Sequence, residues 1–437
     1  MHLRFQVLLA AGALAWCGAA LAQSAPTLEQ VQAQQRACEA KKPPRKSNGT
    51  ISEGTYRKLE RVIDSISKNE YAESEKKLKE MLENSRGGYE KAVLNQTLAF
   101  VYASTNRNAL AIKAFEEAIA TEAMPQQPHE QMVLNVAQLY VADNKWDKGI
   151  KFLNDYMAEA CNPAPEAHIL LASAYAEQKK FRDSLFHADM ALLKAKEPKE
   201  SWLQLKLALH YELKEIPKCA EVLVQLLGLV PTKETYWKQL SGILFEIKKD
   251  PEALAVLALA ERRGYVNEDA EFRNLANLYM YLQIPFKAGS VLQRGVDEKL
   301  VPATEKNMEF LGNAWLAARE YKKAQVAMRR AAEVSDKGEL WKRLGHIFIE
   351  DEQWKSAMEA LVRAKQKGVK EPGDLAFLTG VVAVELKQWK TAEAALREAM
   401  NHEKTAKAAA QWLAHLQAEI AYSTPPAPAE SGTPAQN

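Results

Sequence analysis

Eight polar residues in the second half of the chain recur at a common interval: Lys238, Arg273, Asn277, Lys306, Asn313, Lys342, Arg343 and His346. Ammonium, guanidinium and amide groups are donors that grip carboxylates and peptide carbonyls, the guanidinium with two parallel bonds. Nothing beside them would turn binding into catalysis. The chain has no C-x-x-C, no H-E-x-x-H, no G-x-S-x-G elbow and no phosphate loop, and its eight His are scattered. His168, His187 and His210 read as packed or solvated imidazoles. The chemistry on offer is recognition of a protein or an extended, acidic peptide, with no catalytic residue, metal or cofactor implied.

The elements that would position these residues follow from a repeated spacing. One copy reads Trp341, Leu344, Gly345, Phe348, Trp354, Ala357, Leu361, Ala364. Its neighbours carry Leu311, Gly312, Trp315, Tyr321, Ala324, Met328, Ala331 and Gly380, Trp389, Ala392, Leu396, Ala399. Aligning the first small residue gives Ala99, Ala137, Ala172, Ala208, Ser241, Ala276, Gly312, Gly345 and Gly380, in steps of 38, 35, 36, 33, 35, 36, 33 and 35 residues. A weaker unit with Val62 and Ser74 precedes them. Small residues at these points let two helices cross closely, with aromatic and Leu side chains filling the flanking grooves. One helix pair cannot bury its apolar face alone, so successive pairs must stack. Pro217 and Pro285 fit the first turn of second helices, where a missing N–H costs nothing.

This pattern resembles the tetratricopeptide repeat family. The resemblance implies an all-α, right-handed superhelical solenoid of about ten helix-turn-helix repeats over residues 55–402, closed by a capping helix over 403–422. In such repeats, positions 2, 5, 9 and 12 of the first helix line the concave face, where the eight polar residues fall or stand adjacent. The resemblance extends to the carboxylate clamp of some members: Arg273 and Asn277 match its basic–amide pair and Arg343 its distal basic position. Phe310 stands where the clamp has an Asn.

Outside the repeats, Arg4, an apolar run over residues 5–15 and Ala20-Leu21-Ala22 read as a secretory signal peptide over 1–22, cleaved after Ala22. The expected location is the periplasm. Residues 23–54 read as a mobile arm with one short helix, and the Pro- and Ala-rich stretch 423–437 as a disordered tail. The 58 basic and 56 acidic residues argue against bulk nucleic-acid binding, and no other apolar stretch is long enough for direct membrane insertion. Removing the signal leaves three cysteines, hence at most one internal bridge. Cys38 and Cys161 lie outside the repeats and are candidates for a disulfide pinning the arm to the third repeat. Cys219 reads as a buried thiol.

Residues 201–422 carry a further resemblance, on Tyr236-Trp237-Lys238-Gln239-Leu240-Ser241-Gly242, Leu278-Tyr279-Met280-Tyr281 and Asn313-Ala314-Trp315. These runs are similar to periplasmic repeat proteins that accompany TonB, ExbB and ExbD energy-transduction systems. That resemblance implies an accessory scaffold for uptake across the outer membrane. A scaffold or chaperone for polysaccharide export or peptidoglycan machinery is the alternative.

Overall fold

A computed structural model describes residues 27–42 and 45–423. The expected signal peptide with its cleavage site, and the tail from 424 on, lie outside the described residues. Those described form helices and connecting turns, divided after Val230 into two compact units. The first unit holds α1 (Leu28–Glu39), α2 (Glu53–Ser67), α3 (Tyr71–Asn84), α4 (Gly88–Ser104), α5 (Asn108–Ala120), α6 (Gln126–Ala142), α7 (Trp146–Glu159), α8 (Pro165–Glu177), α9 (Phe181–Lys194), α10 (Glu200–Glu212) and α11 (Ile216–Leu229). The second holds α12 (Glu234–Glu246), α13 (Asp250–Arg262), α14 (Asp269–Tyr281), α15 (Pro285–Asp297), α16 (Glu305–Ala317), α17 (Tyr321–Val334), α18 (Gly338–Glu350), α19 (Trp354–Lys367), α20 (Pro372–Glu385), α21 (Trp389–Met400) and α22 (Glu403–Ser423). From α2 to α21, helices pair as hairpins, each with a first helix A and a second helix B.

The hairpins close where a small residue on helix A meets one twelve positions later on helix B. Ser184 Oγ donates to the Ala172 carbonyl at 2.6 Å and Ser241 Oγ to that of Ala253 at 2.9 Å. Cys219 Sγ lies 3.9 Å from the Leu207 carbonyl. That contact corrects the alignment of the fifth repeat. Ala208 is exposed and Leu207 buried, so Leu207 holds the crossing position and the buried Cys219 thiol supplies the small side. Later hairpins use glycine. A Cβ on Gly345 would stand 2.8 Å from Leu361 Cδ2, and one on Gly380 2.7 Å from Leu396 Cδ2. Leu361 and Leu396 are fully buried, each contributing about 1.5–3 kcal/mol in removing its side chain from water.

The turn inside each hairpin has its own signature. Asn69, Asn106, Asn144, Lys179, Lys214, Lys248, Gln283, Arg319, Glu352 and Lys387 all adopt left-handed backbone, with φ between 55° and 62°. The chain reverses within about three residues there, and a left-handed residue is the shortest way to end helix A and start helix B. Pro217 and Pro285 lie in the first turn of α11 and α15, as expected.

Residues ahead of the array are tied to it. Cys38 and Cys161 form a disulfide with Cα atoms 5.3 Å apart. Asn48 N–H donates to the Ala123 carbonyl and Gln126 N–H to that of Arg45, so Cys38, Arg45 and Asn48 are each fastened to the array. Helix α1 itself has no buried residue. At the far end α22 packs against α20 and α21. Its inner face runs through Thr405, Ala409, Trp412, Leu413, Leu416 and Ile420. Ala410 is exposed.

Candidate functional site

All eight sequence-predicted residues stand on A helices of the second unit. The geometry adds what the sequence reading missed: carboxylates beside most of the cations. Lys238 on α12 pairs with Glu271 on α14 and stands 3.7 Å from Glu234. Burial is the largest single influence on its ammonium and opposes the charge. The hydrogen bond and charge of Glu271, with help from Glu234 and Glu268, outweigh that and hold its pKa above the ordinary value. Arg273 lies 3.2 Å from Asp269, and its Nε is buried without a hydrogen-bond partner among the described residues. Asp269 also accepts from the buried Asn307 amide at 3.0 Å. Asn277 and Lys306 are exposed, and Asn313 is half-buried.

On α18, Lys342 pairs with Glu339 at 3.0 Å, Arg343 with Glu309 of α16, and His346 Nε2 stands 3.8 Å from Glu350. Several bonds link one repeat to the next at or just ahead of the A helices: Lys238 to Glu271, Arg343 to Glu309 and Lys337 to Glu305, with Lys404 of the capping helix reaching Glu371 ahead of α20. Their partners lie 32 to 34 residues apart. These A-helix side chains are therefore an interleaved row of both charges rather than a basic one. Its signal was present as Glu or Asp recurring in the first turn of each A helix of the second unit, at the same period as the cations.

Lys342, Arg343 and His346 come together with Asp374, Phe377 and Leu378 of α20 around an open cavity of about 310 Å³. Burial, then the neighbouring Glu371, pushes the Asp374 carboxyl up. Glu371, hydrogen-bonded first by Lys404 and then by Asp374, is pushed down. Lys238, Arg273, Asn277, Lys306 and Asn313 do not line the cavity. Phe310 of α16, at the clamp's amide position, packs against the core. The cavity thus combines three nitrogen donors with an aromatic and an aliphatic side chain. That set suits a segment presenting a carboxylate or carbonyl beside an apolar residue.

The His residues set aside earlier are packed: His168 and His210 are buried, and His210 Nδ1 lies 2.8 Å from Glu215. Among the described residues, no group of three or more His, Cys, Asp or Glu is arranged to hold a metal ion.

No family model and no curated protein sequence matches this chain. Solved structures resemble it as arrays of repeats. A tetratricopeptide repeat protein from Parabacteroides merdae is 14% identical over 68% of this chain and 100% of its own, with a TM-score of 0.37. The Cut9–Hcn1 hetero-tetramer of the APC/C is 11% identical over 88% and 98%, with a TM-score of 0.33. YrrB, a TPR protein described as having an unusual peptide-binding site, is 18% identical over 43% and 92%, with a TM-score of 0.33.

Proposed function

We propose that this chain is a non-enzymatic periplasmic scaffold that holds a protein or extended peptide along the A helices of its second unit. Its place would be that of an accessory in a TonB-type outer-membrane uptake system, beside TonB, ExbB or ExbD. The observation that carries the binding reading is the cavity where Lys342, Arg343 and His346 meet Phe377 and Leu378. Because Glu339 and Glu309 already pair two of those cations, an anionic ligand must displace one partner or share it. That favours exchangeable binding over permanent capture. The Cys38–Cys161 disulfide supports an oxidising, exported compartment. The TonB association rests on the sequence resemblance of residues 201–422.

The test is affinity capture from envelope extract with the wild-type chain and the Lys342→Ala/Arg343→Ala variant side by side. Wild type should retain TonB-system components and the variant should lose most of them, with identical thermal melting. Equal recovery by both would remove the cavity from the mechanism. Recovery of export or peptidoglycan proteins instead would favour the envelope-assembly role.

A further inference from the structure

Two B helices of the second unit, α17 and α19, carry the opposite charge balance to the A helices α16 and α20. Helix α17 holds Lys322, Lys323, Arg329 and Arg330 against one acid, Glu333. Helix α19 holds Lys355, Arg363, Lys365 and Lys367 against Glu359. The A helices α16, α18 and α20 together hold six acids and only Lys306, Lys342 and Arg343 as Lys or Arg.

Arg330 and Arg363 occupy equivalent places in successive hairpins, each six residues after its crossing alanine, Ala324 or Ala357. Some of the cations are partly neutralised: Lys322 by Asp351 at 2.7 Å, Lys323 by Glu320 at 3.0 Å and Lys365 by Glu398 at 3.3 Å. Others are held without being neutralised. The Arg329 guanidinium lies 5.7 Å from the Phe348 ring centroid and that of Arg363 4.6 Å from that of Trp341. Stacking orients these groups and leaves their charge available. Arg330 and Lys355 are exposed with no acid within ion-pair distance among the described residues.

Valines stand among these cations. Val326 is 64% exposed and Val334 65%, with Val362 on α19 at 46%. Val326, Arg330 and Val334 follow at intervals of four, so they share the outward face of α17. A helix that buries Ala324, Ala327, Met328 and Ala331 on one side therefore presents a basic stripe with β-branched apolar side chains on the other. A polyanion alone would be served by the cations and would leave the valines in water. A bilayer surface with anionic headgroups uses both, the charges at the phosphates and the valines at the headgroup–acyl boundary.

We propose that the outward sides of α17 and α19 dock on an anionic phospholipid surface, lying on it without spanning it. Cosedimentation of the full chain with phosphatidylcholine vesicles, with and without phosphatidylglycerol, tests this. Binding should require phosphatidylglycerol and weaken as salt is raised. Arg330→Glu with Lys355→Glu should lower the partition coefficient on the order of tenfold or more. Val326→Ser with Val334→Ser should lower it severalfold while leaving the salt dependence in place. Arg330→Gln guards against misfolding of the charge-reversed chain, with melting curves recorded for every variant. The proposal is overturned by absence of phosphatidylglycerol-dependent binding, or by charge reversal that leaves partition unchanged. Valine variants that bind as wild type while polyglutamate strips the chain from vesicles would overturn it as well, because the face would then take an acidic polypeptide.

Discussion

His168 on α8 and His187 on α9 face each other Nδ1 to Nδ1 at 3.1 Å. One ring must donate and the other accept, so the contact requires at least one neutral imidazole. Tyr175 stacks on His187 at 5.6 Å and Phe186 meets it edge-on at 5.2 Å. Burial pushes His168 down to about 3, with the His187 and Lys194 charges adding to it, and burial pushes His187 down to about 4.

The sign of the pH dependence follows. Both folded pKa values lie below the ordinary 6.5, so the unfolded chain binds more protons beneath that value. The contribution of the pair is complete above about pH 6.5 and is lost as pH falls toward 4 and then 3, by roughly 1.4 kcal/mol per pH unit for each group. Melting of wild type and of His168→Leu/His187→Leu between pH 7 and 4.5 checks this. The variant should show a shallower decline, and parallel curves would refute the assignment.

Glycine substitutions should rank by what the new Cβ meets. At Gly345 it meets the Leu361 side chain, which can shift in part. At Gly338 it would stand 2.4 Å from the carbonyl oxygens of both Ala364 and Gly368, which are backbone. Gly345→Ala should cost about 1–3 kcal/mol and be partly rescued by Leu361→Val. Gly338→Ala should cost more and resist rescue. Denaturant midpoints of the three variants decide the order.

The left-handed turns predict the reverse effect. Lys214 and Lys387 hold positive φ without being glycine, a conformation costing on the order of 1 kcal/mol for such residues. Lys214→Gly should be neutral or stabilising by up to about 1 kcal/mol, the gain offset by glycine's greater freedom in the unfolded chain. A loss above that in thermal unfolding would show that the lysine side chain matters more than the backbone it occupies.

Removing residues 403–422 should expose Leu396 and Ala399, which Ala409 and Leu416 now cover. Amide exchange in α20 and α21 should accelerate by more than tenfold, equivalent to over about 1.4 kcal/mol of local stability. Protection matching wild type would mean that α21 already closes the array.

Much of the hairpin architecture was legible because close helix crossings admit few residue types. Gly312, Gly345 and Gly380 are informative since almost nothing else fits there. Leu207 shows the limit: a large residue can hold a crossing position if its partner is as small as Cys219. The charge pattern was only half legible. Lys238 and Glu271 are 33 residues apart, and nothing in the sequence pairs them until hairpins stack in register. Turn residues such as Lys179 and Arg319 carry no left-handed preference; the short reversal imposes it.

The disulfide between Cys38 and Cys161 spans 123 positions and encloses the three hairpins from α2 to α7. If the chain is pulled from points before the first cysteine and beyond the second, tension crosses through sulfur and the enclosed segment stays slack. At roughly 3.4 Å per residue, about 400 Å of contour length is then withheld from extension. Under load the hairpins from α8 onward would unravel, while the first three would keep their fold as an unstretched reserve until the bond is reduced.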